Sequence, residues 1–222
     1  METCKVIFVL GAPGSGKSTL CSQLAPYLGY QHLSAGELIR QEAGNPQSPH
    51  GKTVAEAIQT PGAFVPAEVT VDLLQRAMQS FSKNAFLIDN FPVNMANLQA
   101  WNEKMAGTAE VPCVLLLEVS KGLATERCLE RKRGDDTALV LEKRWDSFME
   151  QTRPIVQHYR EMGVLRTVDG SQSAELVLED VKRLLSVMGK DTQPDRDMSD
   201  GGLFAITPSF LLPIRMSNER SP

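Results

Sequence analysis

The chain has 222 residues, 42% of them hydrophobic, and a formal net charge of −4. That length suits one domain with or without a tail, and the hydrophobic share is enough for a packed core. The charge lacks the basic excess that nucleic acid attracts and no apolar run nears the ~18 residues of a membrane span, so neither partner is expected.

The first strand, Val6 to Leu10, begins after only a few residues, which leaves no room for a leader peptide. Cys4, Cys21, Cys113 and Cys128 are scattered without a Cys-x-x-Cys pair. They read as free thiols in a reducing compartment. The cytoplasm is the expected location, with the nucleus open to diffusion.

The strand runs straight into Gly11-Ala12-Pro13-Gly14-Ser15-Gly16-Lys17-Ser18-Thr19, and an amphipathic pattern (Leu20, Leu24, Leu28) follows. Strand, Gly-x-x-x-x-Gly-Lys-Ser and helix together are the context a phosphate-binding P-loop requires. The glycines permit a backbone that turns its N–H groups inward, and the helix aims its positive end at the same point. Lys17 is placed to reach the β- and γ-phosphates, and Ser18 is the expected magnesium ligand. A nucleoside polyphosphate is therefore the expected ligand.

Tyr30 to Leu33 is a short strand, and Ser34 with Glu37 has the spacing of a capping box for a helix ending near Gly44. A second helical piece covers Gly51 to Gln59, and Phe64-Val65-Pro66 is an extended loop. Val69, Leu73, Leu74, Ala77, Met78 and Phe81 form the apolar stripe of a longer helix. Ala85 to Asp89 is an apolar strand closed by a carboxylate, Asn90-Phe91-Pro92 turns the chain, and a helix covers Asn94 to Met105. Val111 to Val119 lacks alternation and reads as a strand buried on both faces of a parallel sheet. Helices over Lys121 to Arg133 and Ala138 to Met162 flank a break at Gly134-Asp135-Asp136; a strand at Val164 to Val168 and a helix to about Met188 complete the series.

Alternating strands and helices predict an α/β fold: a doubly wound five-stranded parallel sheet with helices on both faces. Ligands of such sheets lie beyond the carboxyl ends of the strands, where Gly11 to Lys17, Ser34 and Asp89 all fall. Residues 189–222 mix Asp, Ser, Gly and Arg with prolines and one apolar patch, and read as a mostly disordered tail, the alternative being that the apolar patch docks on the domain or on a partner.

Phosphoryl transfer is catalysed mainly by positioning and by positive groups aimed at the transferring oxygens. Arg127 and Arg131 share a helix face, and Arg133 stands beside the Gly-Asp-Asp break. With Arg144 they suggest a short flap closing over bound phosphates. Asp89 is placed to hold magnesium through water. His32, His50 and His158 are assigned no chemistry. An acceptor that is itself a phosphate needs no general base, because its second ionisation lies near pH 6.

Five pieces resemble the nucleoside monophosphate kinase (adenylate kinase) family, and within it the UMP-CMP kinase branch. They are the Gly11–Lys17 loop, His32-Leu33-Ser34-Ala35-Gly36-Glu37-Leu38-Ile39-Arg40, Phe86-Leu87-Ile88-Asp89, Asn97-Leu98-Gln99-Ala100-Trp101-Asn102 and Glu126-Arg127-Cys128-Leu129-Glu130-Arg131. The resemblance implies transfer of the γ-phosphoryl of magnesium-ATP to a nucleoside monophosphate, UMP or CMP, by a monomer. It implies a kinase domain over 1–188, with a monophosphate-binding segment at about 34–64 and a lid at about 131–137. Lys17 would bind the transferring phosphate, Arg40 the acceptor phosphate and Arg127 the donor adenine. Arg131, Arg133 and Arg144 would be lid and post-lid arginines. Ser34, Gly36, Val65 and Asn97 would complete the acceptor site.

One departure stands out. Where the family has Asp-Gly-Phe-Pro-Arg, this chain has Asp89-Asn90-Phe91-Pro92-Val93, without the phosphate-binding arginine. The alternative it raises is a nucleotide-binding regulatory protein with impaired catalysis.

Overall fold

The computed structural model describes residues 3–60, 63–131 and 137–190. Strand β1 (Cys4–Gly11) lies between β3 (Ala85–Asp89) and β4 (Ala109–Glu118). The edges are β2 (Gln31–Ser34), beside β3, and β5 (Leu165–Asp169), beside β4. Every pairing is parallel. The strand order 2-3-1-4-5 reverses direction at β1, and this switch point opens a crevice at the carboxyl ends.

Helices α1 (Lys17–Leu28) and α9 (Ala174–Lys190) cover one face. On the other lie α4 (Ala67–Gln79), α5 (Met95–Met105) and α8 (Arg153–Glu161). The pleat divides β1 between two cores: Val6, Phe8 and Leu10 enter one, Ile7 and Val9 the other. Phe8 packs edge-on against Phe91 at 5.5 Å and Trp101 at 5.2 Å between ring centroids, with Tyr159 at 6.2 Å. This aromatic cluster ties the loop after β3 to α5 and α8. The remaining helices, α2 (Ala35–Ala43), α3 (Gly51–Gln59), α6 (Lys121–Glu130) and α7 (Ala138–Ser147), surround the crevice or frame it.

Three expectations are corrected. The helix expected over Ala138 to Met162 is divided by a π-helical turn at Phe148–Thr152. Pro154, in the first turn of α8, lacks the N–H that an unbroken helix needs there. The buried stripe of α4 is Ala67, Thr70, Val71, Leu74 and Met78, with Leu73 also inside. Val69 lies at its margin, and Phe81 stands exposed beyond the helix end. Third, Ser34 makes no side-chain cap for α2; its hydroxyl is turned towards Asp89, to which it donates.

Pro112 lies inside β4, where the pairing with β1 slips by one residue between Lys5 and Ile7. The bulge accommodates a residue that has no N–H to give the ladder. Arg133, the Gly134–Asp136 stretch and residues 191–222 lie outside the described residues.

Candidate active site

Between β1 and α1 the chain makes the tight glycine-rich loop its sequence demands. Gly14 has φ +82°, and a Cβ on it would collide with the carbonyl oxygen of Ala124, so α6 packs directly on the loop only because this residue is glycine. The Ser15 N–H donates to Ala12 O at 3.1 Å. Lys17 Nζ curls back over the loop to donate to Gly11 O at 2.7 Å and Ala12 O at 2.9 Å. Burial lowers its pKa to about 8, against an opposing pull from Asp89. Ser18 and Thr19 lie exposed on the first turn of α1.

The Ser15 hydroxyl is buried without a hydrogen-bond partner among the described residues. An unpaired buried hydroxyl costs about 1–3 kcal/mol, and an anion seated in the loop would relieve it.

Asp89 closes β3 opposite Ser34, to which the parallel register pairs it. It is 1% exposed. His32 Nε2 meets its Oδ2 at 3.0 Å, and the hydroxyls of Ser18 and Ser34 also donate to it. Burial would raise this carboxyl's pKa, but the hydrogen bonds outweigh burial and hold it below the ordinary carboxylate range. Carboxylate and hydroxyl oxygens at the mouth of a phosphate loop suit a hard cation such as magnesium. Asp89 and Ser18 offer such oxygens, and Asp89 also lies with His32 and Cys21 in a group whose ligand atoms are all within 4.8 Å of one another. Sequence reasoning gives His32 no role. The available signal is its place in β2, two residues before Ser34 and on the same side of the strand.

Across the crevice, Arg40 on α2 extends its guanidinium over Gly36, where an added Cβ would lie 3.4 Å from Arg40 Nη1. Val65 is half-buried in the segment leading into α4. Asn97, on the first turn of α5, is buried; its N–H donates to the cap residue Asn94 at 2.8 Å. Its own Oδ1 accepts from the Val93 N–H at 3.3 Å. The Val93 carbonyl accepts from Thr152 Oγ1 at 2.9 Å, so the π-helical turn reaches the crevice through this contact. Sequence reasoning missed Thr152; Pro154 inside a long helical pattern was the signal that the helix must be disturbed there.

Arg127 donates from Nη1 to Gly170 O at 2.6 Å, and from Nη2 to Ser171 O at 3.1 Å and Gln172 O at 3.2 Å. This binds α6 to the loop after β5. That loop borders the phosphate loop, because a Cβ on Gly170 would lie 3.2 Å from Ser15 O. Arg131 follows α6 and acts electrostatically on Lys17. Arg144 is half-buried on α7. Lys17 and Asp89 thus interact at the strand ends, Asn90 and Arg40 meet over Gly36, and Asn97 holds Val93 of the same loop. Arg127 lies on α6, which packs on the phosphate loop, and Arg131 follows it.

Residues 9–164 match the family model for adenylate kinase. The pig UMP-CMP kinase is 43% identical over 194 residues, covering 83% of this chain and 98% of that protein. The human UMP-CMP kinase is 42% identical over 193 residues, with the same shares covered. UMP-CMP kinase 2 of Caenorhabditis elegans is 40% identical over 188 residues, covering 83% of this chain and 98% of that protein. With a glycine-rich loop at the switch point of a five-stranded parallel sheet, the chain belongs to the adenylate kinase family of nucleoside monophosphate kinases.

Proposed function

We propose that this protein transfers the γ-phosphoryl group of ATP to UMP or CMP, in the cytoplasm and as a monomer. The observation that carries the proposal is the phosphate loop itself: Lys17 poised on its carbonyls, an unpartnered buried Ser15 hydroxyl within it, and Asp89 at its edge. On binding, Lys17 exchanges Gly11 O and Ala12 O for phosphate oxygens, while the N–H groups of Gly11–Thr19 surround the β-phosphate. Asp89 and Ser18 would hold magnesium, which would supply positive charge to the donor's phosphates when bound. Arg127 lies against the donor adenine.

On the acceptor side, Arg40 takes the phosphate, and Ser34, Gly36 and Val65 shape the pocket around sugar and base. The Asn97 amide, whose oxygen accepts from the Val93 N–H, presents its NH2 group to a pyrimidine. Residues 34–64 would move as the monophosphate-binding segment and 131–137 as the lid of a domain over 1–188, with 189–222 as tail. Arg131, Arg133 and Arg144 then bring charge to the transferring group and exclude water. The attacking phosphate oxygen is already ionised at neutral pH, so no side chain need accept a proton.

A coupled turnover assay with magnesium-ATP and UMP, CMP, dCMP or AMP tests this. UMP and CMP are expected to exceed AMP by at least about tenfold in kcat/KM, a gap of roughly 1.4 kcal/mol. ATP consumption with none of the four would contradict it.

A further inference from the structure

The loop after β3 carries Asn90 and Val93, the two positions at which it differs from the family motif it resembles. Val93 removes a cation from the acceptor side. Asn90, three residues earlier, adds an amide where the family has glycine. Its φ of +57° explains why few residues could stand there, since asparagine accepts this region better than nearly any residue other than glycine. The Asn90 N–H donates to Val9 O at 3.2 Å, which fixes the backbone at the end of the sheet and leaves the side chain exposed in the crevice.

The side chain is directed at the acceptor wall. A Cβ built on Gly36 would lie 3.8 Å from Asn90 Nδ2, 3.4 Å from Arg40 Nη1 and 4.0 Å from Arg40 Nη2. Amide and guanidinium therefore converge over one glycine. Both are donors, and no hydrogen bond or ion pair engages either side chain among the described residues. Two groups whose N–H donors face one spot, neither engaged by an acceptor among the described residues, describe a place for an anion. At residue 93 itself the backbone is already pinned on both sides, by Asn97 and Thr152, so no rearrangement there recovers the missing charge.

We propose that Asn90 is a substrate-binding residue whose amide donates, together with Arg40, to the phosphate of the acceptor nucleotide. It stands as a neutral partner in place of the arginine absent at position 93. This rests on the reading of the crevice as a monophosphate site.

Two variants test it. Asn90→Gly keeps the backbone conformation and removes the amide. Asn90→Asp keeps the size and the backbone preference but sets a negative acceptor beside the phosphate. UMP and ATP binding are measured by calorimetry and turnover by the coupled assay, with thermal unfolding recorded for every protein. The expected result for Asn90→Gly is UMP binding and kcat/KM weakened about tenfold or more, the scale of a hydrogen bond to a charged group. Asn90→Asp loses more, and ATP affinity stays within twofold in both. Uridine, lacking the phosphate, binds wild type and variants alike. In a Val93→Arg background the loss from Asn90→Gly shrinks to threefold or less, because the two residues serve the same anion. Unchanged UMP binding in Asn90→Gly overturns the inference and leaves the kinase reading standing. So does a loss that uridine shares, since that places the amide on sugar or base. Wild type that binds ATP but no monophosphate overturns both.

Discussion

Replacing Val93 with arginine should make the enzyme faster. The side chain at 93 leaves a half-buried loop whose N–H donates to Asn97 Oδ1 at 3.3 Å and whose carbonyl accepts from Thr152 at 2.9 Å. Because both bonds use the backbone, Val93→Arg changes the side chain without releasing the loop. A hydrogen bond to a charged group is worth about 1.5–3 kcal/mol, and each 1.36 kcal/mol is a factor of ten in rate. Realised in the transition state, the new guanidinium should raise kcat/KM for UMP by roughly 10- to 150-fold. Repulsion from Arg40 in the open crevice costs under about 1 kcal/mol, so the melting temperature should move little. Coupled turnover at varied UMP separates the effects: a gain in kcat marks transition-state charge, and a fall in KM alone marks ground-state binding. A change below about threefold would refute the reasoning, since the crevice would then already hold the charge that Val93 withholds.

Thr152→Val removes the hydroxyl that bonds Val93 O and should cost about 1 kcal/mol, a fall of about 2–4 °C in melting temperature, read by calorimetric unfolding. Phe91→Ala opens the aromatic cluster beside Phe8 and Trp101 and should cost about 3–5 kcal/mol, measured by urea unfolding. The Lys17 pKa, lowered to about 8 by burial, predicts two effects of opposite sense. The folded state carries the ammonium less readily than the unfolded chain, so this group's contribution to stability grows as pH rises from about 8 towards 10.5. Phosphate binding needs the ammonium, so ATP affinity without magnesium should fall above pH 8, by up to about tenfold near pH 9. Calorimetry across that range checks it, and a flat affinity would contradict it.

The parts of the site that are local in the chain could be read from the chain. Gly11 to Ser18 sits between an apolar strand and an amphipathic helix, and no distant contact is needed to recognise it. Asp89 at the end of a buried strand is similar, because a doubly wound sheet sends all its strand ends to one crevice. What escaped notice depends on pairings between segments. Ser34 has the spacing of a helix cap, but parallel register sets it opposite Asp89, and its hydroxyl turns to donate to that carboxylate without accepting from the helix N–H groups. His32 follows the same register. Arg127 is expected at the nucleotide, but its hold on three carbonyls after β5 comes from segments far apart in the chain. The π-helical turn shows only as a proline in an otherwise helical pattern, and its consequence, Thr152 against Val93, spans 59 residues of sequence.

Titration of the folded protein with magnesium-ATP in a calorimeter bears most directly on the central claim that the 11–18 loop and Lys17 grip a triphosphate. One nucleotide per chain is predicted, with affinity reduced at least about tenfold in Lys17→Met, the scale of one charge-assisted contact. No heat of binding from correctly folded wild type, or equal affinity in the variant, would contradict it.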